Sequence, residues 1–427
     1  MTNYDTGSWT PSGPSFDTTQ FGDVELVGTL MSFKDAREQF WSSIGIGGSI
    51  IAAPLIYNNT IYVGACDKNF YAITMDGKEK WRFPVQDVIS FWAIAHDGVI
   101  YFTSFDRNIY AITEDGNEVW RFQTNDQLHG PPVYHDGRIY LCSRDNNLYV
   151  LHARTGEFLW KYQTNGPTYV PTIGNGRIYF GSYDNNLYCL NMDGQLLWKI
   201  PFPDRVITWP APLVNGVIIT GCWNNTIYGL DAETGTQKWT FKTLDVPFPR
   251  VAWNNRLYSG SRDCNCYCID VNTGQLIWKF PAQGFTGLIP SVANGRAFFP
   301  SMDQNVYCLE ANTGRLLWKF QTDGPVIGVR AHEDKVYFGS FDCHLYCVDA
   351  TGRVVWKFRT NSANPSEIKP PGNKPDQFEQ TLTVTDDAPE DSVDRYRESF
   401  AAEGGGSSVY KSSSQYIKKH RYGGGSQ

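Results

Sequence analysis

Seven aspartates recur in one phase of this chain: Asp67, Asp106, Asp145, Asp184, Asp263, Asp303 and Asp342, with Asn224 in the eighth place. Carboxylates repeated around a closed ring are the donor set of a calcium site. Each, however, sits in a Ser-x-Asp-Asn-Asn segment or a variant of it, where Asp and Asn side chains bond the backbone of their own turn. A residue that recurs in every copy serves folding first, so the turn role is the reading adopted. The ten cysteines read the same way. Cys189, Cys268, Cys308 and Cys347 share one slot and behave as small buried apolar residues. Cys264, Cys266 and Cys268 alternate along a strand without the turn of a Cys-x-x-Cys zinc knuckle, and Cys343-His344 lacks ligand spacing. His96, His135 and His332 fall at matching turn positions. No Gly-x-Ser-x-Gly elbow, phosphate loop or metal-spaced histidine pair occurs. The expectation is no catalytic residue, no metal and no cofactor.

The elements that carry these residues are set by a tryptophan ladder. Trp41, Trp81, Trp120, Trp160, Trp198, Trp239, Trp278, Trp318 and Trp356 stand 38 to 41 residues apart. Such a period means one supersecondary unit copied many times. Within each unit, short runs of Ile, Leu, Val, Tyr and Phe alternate with Asn-Gly, Asp-Gly, Asp-Asn or Thr-Gly, which tolerate the positive φ of tight hairpins. The unit is a four-stranded antiparallel meander. Eight second strands, from Ile61-Tyr62-Val63-Gly64 to Val336-Tyr337-Phe338-Gly339, and eight matching third strands predict an all-β, eight-bladed β-propeller over residues 26–360. Trp41 precedes the first full unit, as a strand lapping onto the last blade or as a lead-in.

The stretch from Asp231 to Trp239, Asp-x-x-Thr-Gly-x-x-x-Trp, resembles the tryptophan-docking repeat of pyrroloquinoline-quinone-type propellers. Asp270 to Trp278 and Glu310 to Trp318 match it in phase. The resemblance implies that each Trp docks between blades over the Gly turn of a neighbour. It also offers two branches. Quinoprotein dehydrogenases hold quinone and calcium in the central funnel, many beside a vicinal Cys-Cys ring, and this chain has no adjacent cysteine pair. The non-enzymatic branch, which includes the outer-membrane assembly lipoprotein, implies an interaction scaffold and is the nearer match. A quinone- or calcium-dependent oxidoreductase is the alternative.

Where the copies differ is the innermost strand and the loop feeding it. Trp92, His129, Tyr169, Trp209 and Phe248, with Arg250 and Arg330, replace small or apolar residues there. These positions read either as a recognition surface at the channel mouth or as a channel plug. A net charge of −7 argues against binding nucleic acid over the whole surface. The start, Met1-Thr2-Asn3-Tyr4-Asp5, has neither a basic region nor an apolar run, and no stretch approaches a transmembrane length, so a cytoplasmic protein is expected.

Residues 1–25 read as an arm and 361–427 as a linker and tail. Residues 376–403 carry nine acidic and two basic side chains, a net charge of −7. Residues 404–427 set Lys411, Lys418, Lys419, His420 and Arg421 among Tyr410, Tyr416 and Tyr422, between glycine runs. Tyr410, Tyr416, Lys418, Lys419, Arg421 and Tyr422 suit a linear motif for a partner protein within a larger assembly. Contact with RNA through the same basic tail is the competing reading.

Overall fold

The computed structural model describes residues 47–128 and 130–360. Trp41, His129 and both tails, with Tyr410, Tyr416, Lys418, Lys419, Arg421 and Tyr422, lie outside them. The described chain is an eight-bladed propeller of antiparallel sheets, each built from consecutive strands. Blade 4 shows why the sequence folds this way. Its inner strand Thr172–Gly174 turns through Asn175 and Gly176, at φ 53° and 69°, into Arg177–Gly181. Positive φ at both central residues is the hairpin geometry that Asn-Gly supplies without strain. Asn186–Asn191 and Leu196–Pro201 complete the sheet. The middle strands are buried on both faces because a neighbouring blade covers each side, whereas the outermost strand alternates with solvent.

Blade 5 departs from the pattern. Its inner strand is split into Val206–Ile207 and Leu213–Val214, which pair separately with Val217–Cys222. Pro210 and Pro212 stand between the pieces and have no N–H to give a ladder.

Eight tryptophans dock cyclically. The Trp120 indole donates to the Ala153 carbonyl at 3.0 Å, and its ring lies where a Cβ on Gly156 would come within 2.6 Å. The same relation runs from Trp81 to Gly116 and around to Trp318 and Gly352. Trp356 then donates to Met75 O at 3.0 Å and covers Gly77 of the first blade, which closes the ring. Blade 8 already has four strands of its own, Val329–His332 to Val354–Arg359. The ring among the described residues therefore closes by docking.

The antiparallel meander gives the ring two ends. The Asn-Gly turns and the glycine turns under the tryptophans share one, the turn end. The hairpins between second and third strands share the other, the hairpin end, with the crossovers to the next blade.

A candidate docking surface at the hairpin end

The repeated carboxylates are occupied by the fold. In blade 3, Asp145 Oδ1 accepts the N–H of Asn147 at 3.1 Å and Oδ2 accepts the Tyr149 hydroxyl at 2.6 Å. Oδ2 also accepts the Asn125 N–H at 3.2 Å, from the crossover leaving the preceding blade. Gln86 to Asp106, Asn165 to Asp184, Leu244 to Asp263, Gln283 to Asp303 and Asp323 to Asp342 repeat this clip at 3.0–3.1 Å. Sequence reasoning found the turn and missed the clip between blades. Blade 5 confirms its logic. There the crossover residue is Pro203, which has no N–H, and the acceptor is Asn224. Among the described residues no cluster of His, Cys, Asp and Glu could hold a metal ion.

All ten cysteines are free thiols. Burial pushes Cys189, Cys222, Cys343 and Cys347 up to about 11, so they stay protonated and unreactive at neutral pH.

The central channel holds a plug. Residues of every blade form one apolar cluster, including Ile51, Phe91, Cys142, Tyr169, Trp209, Phe248, Leu288 and Ile327. Tyr169, Trp209 and Phe248 are 0%, 5% and 6% exposed, so their side chains are core and do not form a surface at the mouth. The reason is geometric: inner strands of eight wedge-shaped blades converge on the axis, and bulky apolar groups fill the space left there. Trp209 meets Phe91 edge-on at 5.6 Å, and the Arg250 guanidinium lies 5.0 Å over its ring. Trp92, next to Phe91, is half-buried.

Arg250 is also taken up by structure. It donates Nε to Leu288 O at 2.9 Å and Nη1 to Trp209 O at 2.6 Å, tying blades 5, 6 and 7 together. Arg330, on blade 8, remains exposed. The seven positions, which the sequence leaves open between recognition surface and plug, therefore separate into plug, tie and open side chain, with Trp92 half-buried and His129 outside the described residues.

A different set converges on the hairpin end. In every blade, the residue before the repeated aspartate (Asn224 in blade 5) donates its N–H to a crossover carbonyl near the axis, at 2.9–3.0 Å. These pairs align the eight copies. Blades 7, 8, 1 and 2 place Phe285 and Met302, Pro325 and Phe341, Ser49 and Cys66, and Val88 and Phe105 there. Blades 3 to 6 instead place Arg144, Tyr183, Arg205, Trp223 and Arg262, none of them fully buried.

Arg205 lies over Tyr183 at 4.7 Å and over Trp223 at 5.2 Å, while Arg262 lies over Trp223 at 5.6 Å. Leu244, in the crossover beside Arg262, is 78% exposed. The same slot elsewhere holds Gln86, Asn125, Asn165, Pro203, Gln283 and Asp323. Asp126, Asp204 and Asp245 each precede a crossover residue and cap its N–H at 2.7 Å. Three carboxylates among three arginines leave the patch mixed in charge. The readable signal was the slot between Ser or Cys and Asp or Asn, which holds Tyr183, Trp223 and Arg262 in blades 4 to 6.

The family described as outer membrane protein assembly factor BamB matches residues 76–174, 164–252 and 262–375, which together span more than half of the chain. No curated protein matches. Among solved structures, the computationally designed Ika8 protein is similar at 15% identity and TM-score 0.65, covering 71% of this chain and 97% of its own. BamB from Moraxella catarrhalis is similar at 15% identity and TM-score 0.57, covering 68% and 94%. Saccharomyces cerevisiae Sqt1 is similar at 12% identity and TM-score 0.63, covering 70% and 96%. Likeness at these identities speaks for the fold alone, and the matched repeats, in phase with the docking tryptophans, place the chain in the BamB-type family of pyrroloquinoline-quinone-like repeat propellers.

Proposed function

We propose that this propeller is a cofactor-free docking scaffold whose hairpin end, around Trp223, binds a partner protein. The observation that carries the reading is the arc of Tyr183, Arg205, Trp223 and Arg262 beside exposed Leu244. Trp, Tyr and Arg are the residues that dominate binding energy at protein interfaces, and a neighbouring apolar anchor completes such a centre. The family match supports it, since that family is described as an assembly factor. The interleaved carboxylates weigh against RNA, whose binding depends on phosphate neutralisation by unopposed Lys and Arg. Ten free thiols fit a reducing compartment, so the same reading puts the protein in the cytoplasm. The tail from Tyr410 to Tyr422 tethers a second site on the same assembly.

The test is affinity capture with the full chain, a Trp223→Ala/Leu244→Ser variant and a chain ending at residue 403. The reading expects partner recovery to fall at least tenfold in the patch variant and severalfold on truncation, at a temperature where circular dichroism shows each variant folded, since two hot-spot side chains carry on the order of 3 kcal/mol. Recovery unaffected by the patch variant would sink it. Quinone with calcium is expected to give no stoichiometric uptake, checked by absorbance titration.

A further inference from the structure

The geometry points to an oxyanion site at the turn-end mouth of the channel, with Arg330 as its cation. Two arginines stand on inner strands toward that side of the plug, Arg250 in blade 6 and Arg330 in blade 8, and they differ in what their donors do. Arg250 spends its donors on two carbonyls and lies over Trp209 and Phe248. Arg330 makes one long hydrogen bond, Nε to Pro54 O at 3.5 Å. Among the described residues its two Nη nitrogens have no hydrogen bond and no ion pair. The side chain is open to solvent, yet protein encloses it closely enough to lower its pKa, and no carboxylate offsets that effect. Arg330 lies on the innermost strand of blade 8 and its Nε reaches Pro54 O at the start of blade 1, so the exposed guanidinium stands at the axial edge of the two blades. Arginine cannot shed its proton in a protein, so the cost of partial desolvation persists while the site is empty.

The repeat does not call for a cation here. Arg330 pairs with Tyr337, and the equivalent partners of the second strand in other blades are Leu55, Ile94, Val133, Thr172, Val251 and Ser291. The strand that carries it is also unusually fixed. Ile289 and Gly328 form a parallel bridge between blades 7 and 8, with Ile289 N to Ile327 O and Val329 N to Ile289 O both at 3.1 Å. On the other side Gly328 packs so tightly on blade 1 that a Cβ would meet Ala53 N at 2.4 Å. The backbone that carries the open fork is therefore held in place before any ligand arrives. Two parallel N–H donors on a rigid plane suit a carboxylate or phosphate, bound by two oxygens. Such an oxyanion comes either as a free ion or as an acidic side chain entering the mouth. The site lies across the plug from the hairpin-end patch and does not depend on it.

Thermal unfolding and calorimetric titration test the site on the full chain, with phosphate and acetate as free ions against chloride at equal ionic strength. A short aspartate-rich peptide against its asparagine counterpart supplies the second arm. In the wild type at least one oxyanion probe raises the melting temperature beyond its control. In Arg330→Met that increment disappears and the affinity falls about tenfold or more, the scale of a lost charge-assisted hydrogen-bond pair. Arg330→Lys keeps part of it, and Arg330→Met without oxyanion melts no lower than the wild type. A response in the ion arm identifies a free ion, and a response confined to the peptide arm identifies an acidic segment. An increment that survives in Arg330→Met, or a wild type that answers no oxyanion beyond its control, overturns the proposal.

Discussion

At the scale of single residues, conformation and contact can be separated by glycines that share a backbone angle. Gly156 and Gly137 both sit at φ +72°, but only Gly156 lies under an indole, since a Cβ on Gly137 would meet nothing within 4 Å. We expect Gly137→Ala to cost about 1 kcal/mol for the left-handed backbone alone. Gly156→Ala should cost roughly 1–3 kcal/mol more, because Trp120 must also shift, as chemical denaturation will show. The repeated turn aspartates differ in a way that pH resolves. Burial tends to raise the Asp184 carboxyl, but the Tyr188, Asn186, Asn165 and Ser182 hydrogen bonds outweigh it and hold it below its ordinary value. Its stabilising effect is present above the unfolded pKa of about 4 and is lost as pH falls through the folded value. For Asp67, burial wins and raises the carboxyl, so its effect has the opposite sign. Melting curves should therefore show Asp184→Asn costing more at pH 7 than at pH 3, with no such growth toward neutral pH for Asp67→Asn. The turn half of this chemistry was legible in Ser-x-Asp-Asn-Asn. The clip was not, because its donor comes from a crossover about 20 residues earlier and only the packing of blades brings it near.

At the scale of elements, the tryptophan phase predicted the strands closely because one pattern repeats eight times and each copy checks the others. Trp120→Ala should cost about 3–5 kcal/mol, the range for a large buried aromatic, measured as loss of unfolding free energy. The departures were harder to read. Pro210 and Pro212 stood in the sequence, yet whether they bend or split a strand depends on pairing that Val217–Cys222 supplies. Blade 5 lacks both an unbroken inner strand and a crossover clip. We expect amide exchange in Val206–Val214 to run faster than in the inner strand of blade 6, Pro247–Trp253, which is paired along its length across one bulge.

At the scale of the molecule, the ring was legible and the surface proposed for docking largely was not. A forty-residue period identifies a propeller, but which departures face solvent depends on how eight inner strands meet. Tyr169, Trp209 and Phe248 read equally as recognition surface or plug and are the plug, whereas Tyr183 and Trp223 pack on its hairpin-end side without being fully buried. Leu244 was invisible in the sequence because one exposed leucine in a loop is unremarkable until its neighbours are known. The central claim is that this end of the ring meets a protein. It is tested most directly by a photo-crosslinking amino acid placed at position 244, with position 80 on the outer strand of blade 1 as the control. A partner docked at the hairpin end gives a discrete adduct from position 244 alone, abolished by Trp223→Ala. Equal adducts from both positions, or none from position 244, would contradict it.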